Sequence, residues 1–360
     1  MSTHDTSSQA AADEGRAYAA RLWQYKQAET VSIMLYVGRR LDLFKHLAGA
    51  GPVTAAELAS TTGLHERWLL EWMRLMTAAK ILDYVDETRF ELPAAGAQML
   101  GDEQSNSFML ENFSGGESEA TIEGLLESFR TGIGRSYESA GPEGARRGEV
   151  RHWRAARGQV VPVMIPALEG VAEKLTAGAL VADVGCGDGA VILSLAETYP
   201  NSQFHAFDPS KHAVARVREV AAEMGLTNVE VDIARGEELP QDQAYDLVIT
   251  FDCIHDMTAP LSVMKAIRSG IAEDGTWFIK DIRSKPRFED NLRNPMLAMM
   301  YGFSLFACMS SAMSEPDGAG LGTLGFNPEV AESMSREAGF SRFKMHDFKD
   351  PGNLYYEIKP

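Results

Sequence analysis

The feature that most constrains this chain is a short apolar run that passes directly into a glycine-rich loop. Leu180–Val184 has the composition of a buried strand, Gly185–Gly189 follows at once, and helix-forming residues continue from Ala190 to Thr198. Glycines let the backbone turn tightly and lie against a ligand, in the crevice beyond the carboxyl ends of parallel strands. The pattern therefore predicts the first strand, loop and helix of an α/β fold that binds a nucleotide-like ligand.

Strands and helices alternate through the rest of the C-terminal half. Further strands are predicted at Phe204–Phe207, Val229–Ile233, Leu247–Thr250, Trp277–Asp281, Phe343–Asp347 and Leu354–Ile358. Further helices are predicted at Lys211–Met224, Ala259–Ile271 and Pro328–Ala338. This alternation indicates an α/β fold with a doubly wound, Rossmann-like sheet and helices on both faces. We expect seven strands, mostly parallel, with an antiparallel hairpin at the end.

Residues 17–100 are mainly helical by the period of their apolar side chains. Thr54 and Glu57 have the spacing of a capping box at the start of one helix, and His65–Lys80 is predicted to form another. A short β-hairpin is then predicted from Ile81–Val85 and Arg89–Leu92. Helices followed by a hairpin are the layout of a winged helix.

The composition excludes several classes of partner. With 51 acidic and 34 basic residues the net charge is −17, and so acidic a surface repels phosphate backbones and anionic lipid. We therefore expect neither nucleic acid nor a membrane as a partner. Cys186, Cys253 and Cys308 are odd in number and widely spaced, which argues against a disulfide framework and for a cytoplasmic protein. Because neither a CxxC pair nor a histidine cluster is present, we expect no metal site.

The charges around the glycine loop distinguish between two classes of cofactor. Gly185, Gly187 and Ala190 fit the relaxed dinucleotide fingerprint, but Asp183 and Asp188 would repel a pyrophosphate placed on the helix N-terminus. S-adenosylmethionine carries a sulfonium and an ammonium group and no phosphate, so carboxylates suit it. An acidic residue that ends the second strand, Asp208, can accept both ribose hydroxyls.

These stretches, together with the following Tyr245–Val248, resemble in their order the motifs of class I S-adenosylmethionine-dependent methyltransferases. With its leading helical part, the chain resembles the bacterial members that carry an N-terminal winged-helix dimerisation domain. The resemblance implies that Asp183 contacts the methionine portion, that Asp208 binds the ribose and that Glu237 lies near the adenine. The cofactor-binding residues that it implies are Asp183, Gly185, Gly187, Asp188, Gly189, Asp208, Pro209, Gly236, Glu237, Phe251 and Asp252.

Four regions follow from the patterns and the resemblance together. We expect a disordered tail at 1–16, a winged-helix-like dimerisation domain at 17–100, and a helical connector that can act as a lid at 101–160. Residues 161–360 then form the S-adenosylmethionine-binding methyltransferase domain. The expected assembly is a homodimer formed through the N-terminal domain.

His255 is the candidate catalytic residue. Methyl transfer is an in-line displacement, and a general base is needed only if the acceptor must lose a proton. His255 follows the fourth strand at the edge where the methyl group would lie, and the adjacent Asp256 can orient its imidazole. Two other interpretations remain open, because these residues can also bind the substrate or cap the next helix.

A methionine-rich segment, Met296–Gly325, lies between the fifth strand and the last helix. Methionine often fills irregular gaps in a core, but this fold commonly inserts substrate-binding structure at this point. Met300 and Tyr301 are therefore candidate substrate residues, with the Tyr301 hydroxyl as a polar group. Arg283, just past the fifth strand, can pair with a substrate carboxylate or simply lie on the surface.

The sequence thus predicts an enzyme that transfers a methyl group from S-adenosylmethionine to an oxygen, sulfur or nitrogen atom of a small metabolite. One alternative is S-methylation of a thioether such as 4-methylthio-2-hydroxybutyrate in dimethylsulfoniopropionate synthesis, because the chain is also somewhat similar to methyltransferases of that route. An alternative of another class is a winged-helix DNA-binding regulator with a ligand-sensing domain. Acidic residues in the helix and hairpin, Glu66, Glu71, Asp83 and Asp86, oppose that alternative.

Overall fold

The computed structural model describes residues 3–86, 88–105, 107–242 and 244–360, and for 3–12 it describes the backbone alone. The chain forms two compact units, Met1–Ser118 and Glu119–Pro360. The tail predicted at 1–16 falls on residues 1–2, which lie outside the described residues, and on helix Thr3–Arg40. Residues 13–16 were predicted to be disordered, and this prediction is wrong, because they lie within the helix Thr3–Arg40. The residues that follow them favour a helix.

The first unit is a small helical domain with a three-stranded sheet. Its helices are α1 (Thr3–Arg40), α2 (Leu43–Leu47), α3 (Ala55–Thr62), α4 (Glu66–Ala78) and α5 (Ala94–Gly96). Its strands are β1 (Val53–Thr54), β2 (Asp83–Asp86) and β3 (Arg89–Glu91). A π-helical turn at Ala97–Gly101 and a 3-10 turn at Leu110–Asn112 follow.

The predicted winged-helix elements are present in this unit. The Thr54 hydroxyl accepts a hydrogen bond from the Glu57 amide at 3.2 Å, and the Glu57 carboxylate accepts from the Thr54 amide at 2.7 Å. The capping box is therefore confirmed. β3 pairs antiparallel with both β2 and β1, so the predicted hairpin carries a third strand. The core beneath it is formed by side chains of α2, α3 and α4, such as Phe44, Leu58 and Met73.

The second unit contains the remaining elements. Its helices are α6 (Glu119–Thr131), α7 (Gly141–Ala145), α8 (Glu149–Ala155), α9 (Ile165–Ala167), α10 (Val171–Ala177), α11 (Ala190–Thr198), α12 (Lys211–Glu223), α13 (Pro260–Gly270), α14 (Phe288–Asn291), α15 (Leu297–Phe303), α16 (Met309–Ala312) and α17 (Pro328–Glu337). Its strands are β4 (Leu180–Val184), β5 (Gln203–Asp208), β6 (Val229–Ile233), β7 (Tyr245–Phe251), β8 (Ile271–Ile282), β9 (Arg342–His346) and β10 (Asn353–Lys359). Short 3-10 or π-helical turns lie at Tyr137–Ala140, Ala156–Met164, Gly236–Glu238, Ile254–Asp256 and Ser304–Cys308.

The seven strands form one sheet in the order β6-β5-β4-β7-β8-β10-β9. The first five pair in parallel, and β10 pairs antiparallel with both β8 and β9. Successive residues of β4 point to opposite faces, so that Val181 and Ala182 belong to two different buried clusters. Helices cover both faces. The predicted doubly wound sheet with a terminal antiparallel hairpin is confirmed.

Most predicted boundaries lie within two residues of those observed, and two regions differ by more. β8 begins at Ile271, well before the predicted Trp277, because Ile271 pairs with Tyr245 across a register irregularity. The prediction had placed Ile271 at the end of the preceding helix. The predicted connector at 101–160 is divided at Ser118, and its later part belongs to the second unit as α6, α7 and α8.

No helix in the described part of the chain is both long enough and apolar enough to cross a membrane.

Candidate active site

The glycine loop, defined as Gly185–Gly189, leaves β4 at the carboxyl edge of the sheet. Gly185, Gly187 and Gly189 have φ values of 78°, 56° and 75°, a region that favours glycine. A Cβ on Gly185 would lie 2.9 Å from Cys253, and one on Gly189 would lie 2.8 Å from Val217. Nothing lies within 4 Å of a Cβ built on Gly187. Two of the glycines are therefore packed, whereas Gly187 borders open space where a ligand can approach.

Asp208, at the end of β5, holds the loop in place. Its carboxylate accepts hydrogen bonds from the Gly187 amide at 3.0 Å and from the Ser210 amide at 2.8 Å. The Gly185 amide donates to the Phe207 carbonyl at 2.8 Å. A carboxylate has about four acceptor positions, so Asp208 retains positions for ligand hydroxyls. Burial raises the pKa of this carboxyl. The exposed Pro209 follows it.

Two further acidic residues flank the loop. Burial, together with the charges of the Asp208 and Asp188 carboxylates, raises the pKa of Asp183 to about 8. Asp188 accepts from the Ala190 amide at 3.1 Å at the start of α11, and its other oxygen lies 2.6 Å from Nδ1 of His152. Asp188 therefore caps a helix and anchors α8. Its predicted contact with a cofactor stays a prediction.

The other predicted cofactor residues lie at the ends of β6 and β7. Gly236 is packed, since a Cβ there would lie 2.6 Å from Val263. Glu237 lies 3.5 Å from the Arg235 guanidinium. The Phe251 ring packs edge-on against Phe278 with centroids 5.3 Å apart.

Asp252, directly after β7, has a φ of 52° and forms an ion pair with Lys280 of β8. Its second oxygen, Oδ1, is buried without a hydrogen-bond partner. A buried acceptor that lacks a donor costs free energy unless a further group reaches it. The predicted contact between Asp252 and a cofactor is therefore chemically reasonable.

His255 lies beyond β7 in a 3-10 turn, with a relative exposure of 1%. Its Nδ1–H donates to Oδ1 of Asp281 at 2.7 Å. Burial lowers the pKa of His255, but the charge and hydrogen bond of Asp281 outweigh burial and hold that pKa well above its ordinary value. The residue that binds Nδ1 of the imidazole is thus Asp281 at the end of β8, which the sequence analysis did not predict. The orienting role predicted for Asp256 stays a prediction.

Asp256 belongs to a group that we call the histidine cluster: Tyr137, His255, Asp256, Asp281 and Cys308. A ring nitrogen of His255, a carboxylate oxygen of Asp256 and Sγ of Cys308 all lie within 4.8 Å of one another. The Tyr137 hydroxyl donates to Sγ of Cys308 at 3.7 Å. Burial raises the pKa of Asp256 to about 7, although the His255 charge lowers it.

Tyr137 reaches this cluster on a segment that we call the strap, residues 134–152. The Arg135 amide donates to the Ser310 hydroxyl at 2.8 Å, and a Cβ on Gly134 would overlap the Ser310 carbonyl oxygen. At the other end, the Glu138 carboxylate accepts from the Ser210 hydroxyl at 2.8 Å. The strap therefore spans from the end of β5 to the methionine-rich segment. Its action as a lid stays a prediction.

The predicted substrate residues are more exposed than His255 and Asp281 of the cluster. Tyr301 lies on α15 with its ring 6.0 Å from that of Phe288, and the Asn294 amide donates to Sδ of Met300 at 3.3 Å. The Arg283 guanidinium donates to the Asp350 carbonyl at 2.8 Å, so it is engaged within the fold.

Sequence reasoning missed Tyr137, Asp281 and Cys308. Asp281 could have been found, because it ends a predicted strand at the edge where ligands bind in such sheets. The pattern around Tyr137 and Cys308 gives no comparable signal. The prediction of no metal also stays a prediction.

Comparisons with known proteins agree with this geometry. Residues 175–321 match the family model of a methyltransferase domain, and residues 29–102 match that of an Rv2258c-like winged HTH domain. The chain is 31% identical over 108 residues to (S)-tetrahydroprotoberberine N-methyltransferase of Eschscholzia californica, covering 30% of this chain and 31% of that protein. The chain thus spans about a third of the length of this curated relative.

Solved structures match over nearly the whole chain. The mitomycin 7-O-methyltransferase MmcR has a TM-score of 0.68 and 18% identity, covering 98% of this chain and 99% of that one. Human N-acetylserotonin methyltransferase in complex with S-adenosylmethionine has a TM-score of 0.62 and 20% identity, covering 95% and 97%. At such identities the likeness shows the fold.

The donor set also fits the cofactor. A sulfonium and an ammonium group suit the carboxyl-rich loop, and the space beside Gly187 allows close approach. The order of motifs, the two matched domains and the sheet topology agree with one another. The chain therefore carries a methyltransferase domain that binds S-adenosylmethionine, preceded by an N-terminal winged HTH domain.

Proposed function

We propose that this protein transfers the methyl group of S-adenosylmethionine to a hydroxyl oxygen of a small molecule. The observation that carries the proposal is the buried His255–Asp281 pair, with 2.7 Å between Nδ1 and Oδ1. The pair lies at the carboxyl edge of the sheet, the edge that also holds the glycine loop. An imidazole fixed in this way is suited to accept a proton from an acceptor.

The chain's residues would divide the work as follows. Asp183, Asp208 and the glycine loop bind and orient the cofactor, which supplies a methyl carbon activated by the sulfonium. The second ring nitrogen of His255 takes the hydroxyl proton as the oxygen attacks in line. Asp281 stabilises the imidazolium that forms, because its carboxylate already accepts the Nδ1 proton. Tyr137 and the strap exclude water from the histidine cluster.

Nitrogen and sulfur acceptors would make less use of this arrangement. A neutral amine or a thioether attacks through a free lone pair and needs no base, so the buried pair would serve positioning alone. The match to a plant N-methyltransferase covers about a third of that protein, and it supports the cofactor domain. The comparisons give the thioether alternative no support.

We also propose that the first unit serves in dimerisation. On α1 it exposes large apolar side chains, Tyr18, Leu22, Trp23 and Tyr25, and contiguous exposed apolar surface marks interaction sites. The DNA-binding alternative gains no support from this unit, because β2 is exposed along its length and carries Asp83 and Asp86. Light scattering of the wild type and of Trp23→Glu would test dimerisation, with a monomeric wild type as the contradicting result.

The test of activity uses S-adenosylhomocysteine release with panels of hydroxyl, amine and thioether acceptors. We expect turnover with hydroxyl acceptors and a loss of at least about 100-fold in kcat for His255→Gln, which removes the base. The matched control is His205→Gln, since His205 also forms a 2.7 Å pair, with Asp232, away from the loop. Turnover of amines alone, or full activity of His255→Gln, would contradict O-methylation with a histidine base.

A further inference from the structure

We infer that Cys308 is a nucleophilic thiol and a covalent modification site for soft, neutral electrophiles of the α,β-unsaturated carbonyl class. Cys308 ends the π-helical turn Ser304–Cys308 and is half-buried. The inference uses the histidine cluster but does not depend on methyl transfer, because the reaction forms a bond to the protein itself.

The geometry is that of a thiol paired with an oriented base. A ring nitrogen of the His255 imidazole lies within 4.8 Å of Sγ of Cys308, while its Nδ1–H is held by Asp281 at 2.7 Å. Thiol, imidazole and carboxylate in this sequence of contacts form the arrangement that activates cysteine nucleophiles. The Tyr137 hydroxyl supplies a further donor to Sγ at 3.7 Å. A thiolate at this position would have two donors.

His255 is placed to act as the base for this thiol. Its Nδ1–H is bound by Asp281, so the other ring nitrogen can accept the Sγ proton, and Asp281 stabilises the imidazolium that forms.

The other two cysteines provide an internal contrast. Cys253 is buried, its Sγ lies 3.2 Å from the Val184 carbonyl, and burial raises its pKa well above the usual range. Burial also raises the pKa of Cys186 well above that range, and nearby carboxylates add to the effect. Among the three thiols, all in the described part of the chain, an imidazole beside the sulfur is described for Cys308 alone.

The reaction balances without an added oxidant or reductant. Sγ of the thiolate forms a bond to the β-carbon of the electrophile, and the carbon–carbon π pair moves toward the carbonyl oxygen. The proton on the imidazolium nitrogen that faces Cys308 then passes to the enolate, which leaves a neutral imidazole and a thioether adduct. Exposed neighbours Phe306 and Met309 offer an apolar approach for such a molecule.

The experiment treats the full chain, freed of metal by a chelator, with substoichiometric N-ethylmaleimide at pH 7 in competition with glutathione. Peptide mapping by mass spectrometry then measures the adduct at each cysteine. We expect Cys308 to react at least about tenfold faster than glutathione, Cys186 and Cys253, since an oriented imidazole beside a thiol activates it as a nucleophile. Cys308→Ser should remove the fast adduct.

Two further variants assign the cause. His255→Gln should slow modification of Cys308 about tenfold, and Tyr137→Phe, which removes the hydroxyl that donates to Sγ, should slow it a few-fold. The inference is overturned if Cys308 reacts no faster than glutathione, or if both variants react at the wild-type rate. Because the readout is adduct mass, loss of methyl transfer in any variant leaves this result distinguishable from failure of the proposed function.

Discussion

At the carboxyl ends of β4 and β5 the functional side chains come from one continuous stretch, residues 183–208, whereas at the ends of β7 and β8 they come from four separate segments. The glycine loop is held by Asp208, 21 positions from Gly187. The histidine cluster joins Tyr137 to Cys308 across 171 positions. The first region is therefore a local motif that can be recognised along the chain, and the second exists only after the sheet and strap have formed.

The two regions also differ in charge. Three carboxyl groups, Asp183, Asp188 and Asp208, surround the loop, and of these Asp188 contacts the imidazole of His152. At the histidine cluster, Asp281 is compensated by His255. The first region is suited to a cationic ligand, and the second to moving a proton. The predictions below test this division, beginning with the largest expected effect.

Asp281→Asn should remove the carboxylate charge that balances a protonated His255 in the histidine cluster. We expect kcat with a hydroxyl acceptor to fall about 100-fold or more, because an amide neither fixes the imidazole tautomer nor stabilises the imidazolium. Since Asp281 raises the pKa of His255 and burial lowers it, the acidic limb of the pH–rate profile should move to lower pH. Asp232→Asn, in the pair formed with His205, is the matched control. If the acidic limb of the pH–rate profile stayed at the wild-type pH, Asp281 would not be the group that raises the pKa of His255.

Asp183 should release a proton when the cofactor binds. Its pKa of about 8 keeps the carboxyl mostly protonated at pH 7, and an adjacent cation would favour the ionised form. Affinity for S-adenosylmethionine should therefore increase up to about tenfold per pH unit between about pH 6 and 8. Calorimetry at pH 7 in buffers of different ionisation enthalpy would count close to one released proton for the wild type and none for Asp183→Asn. If the wild type released no proton on binding S-adenosylmethionine, Asp183 would not ionise when the cofactor binds.

The sequence predicts the first region much better than the second, for a physical reason. The bounds of β4, β6 and α11 are observed as predicted, because apolar period and glycine positions are properties of the local chain. His255 was found because it follows a strand at the ligand edge. Its partner was predicted as Asp256, since adjacency is visible in a sequence, whereas the pairing of β7 with β8 that brings Asp281 near is not.

The winged-helix unit shows the same limit. The capping box at Thr54 is local and was predicted. β1, of two residues, carries no pattern of its own and is a strand only because it pairs with β3.

The measurement that tests the division of the site most directly is calorimetric titration with S-adenosylmethionine, and with NADH for comparison, of the wild type, Asp208→Ala and His255→Gln. We expect the wild type to bind S-adenosylmethionine and not NADH. Asp208→Ala should weaken binding about tenfold or more, since hydrogen bonds to a charged group each contribute about 1.5–3 kcal/mol. His255→Gln should bind as the wild type does while its methyl transfer is lost. Unweakened binding by Asp208→Ala, or lost binding by His255→Gln, would contradict the account.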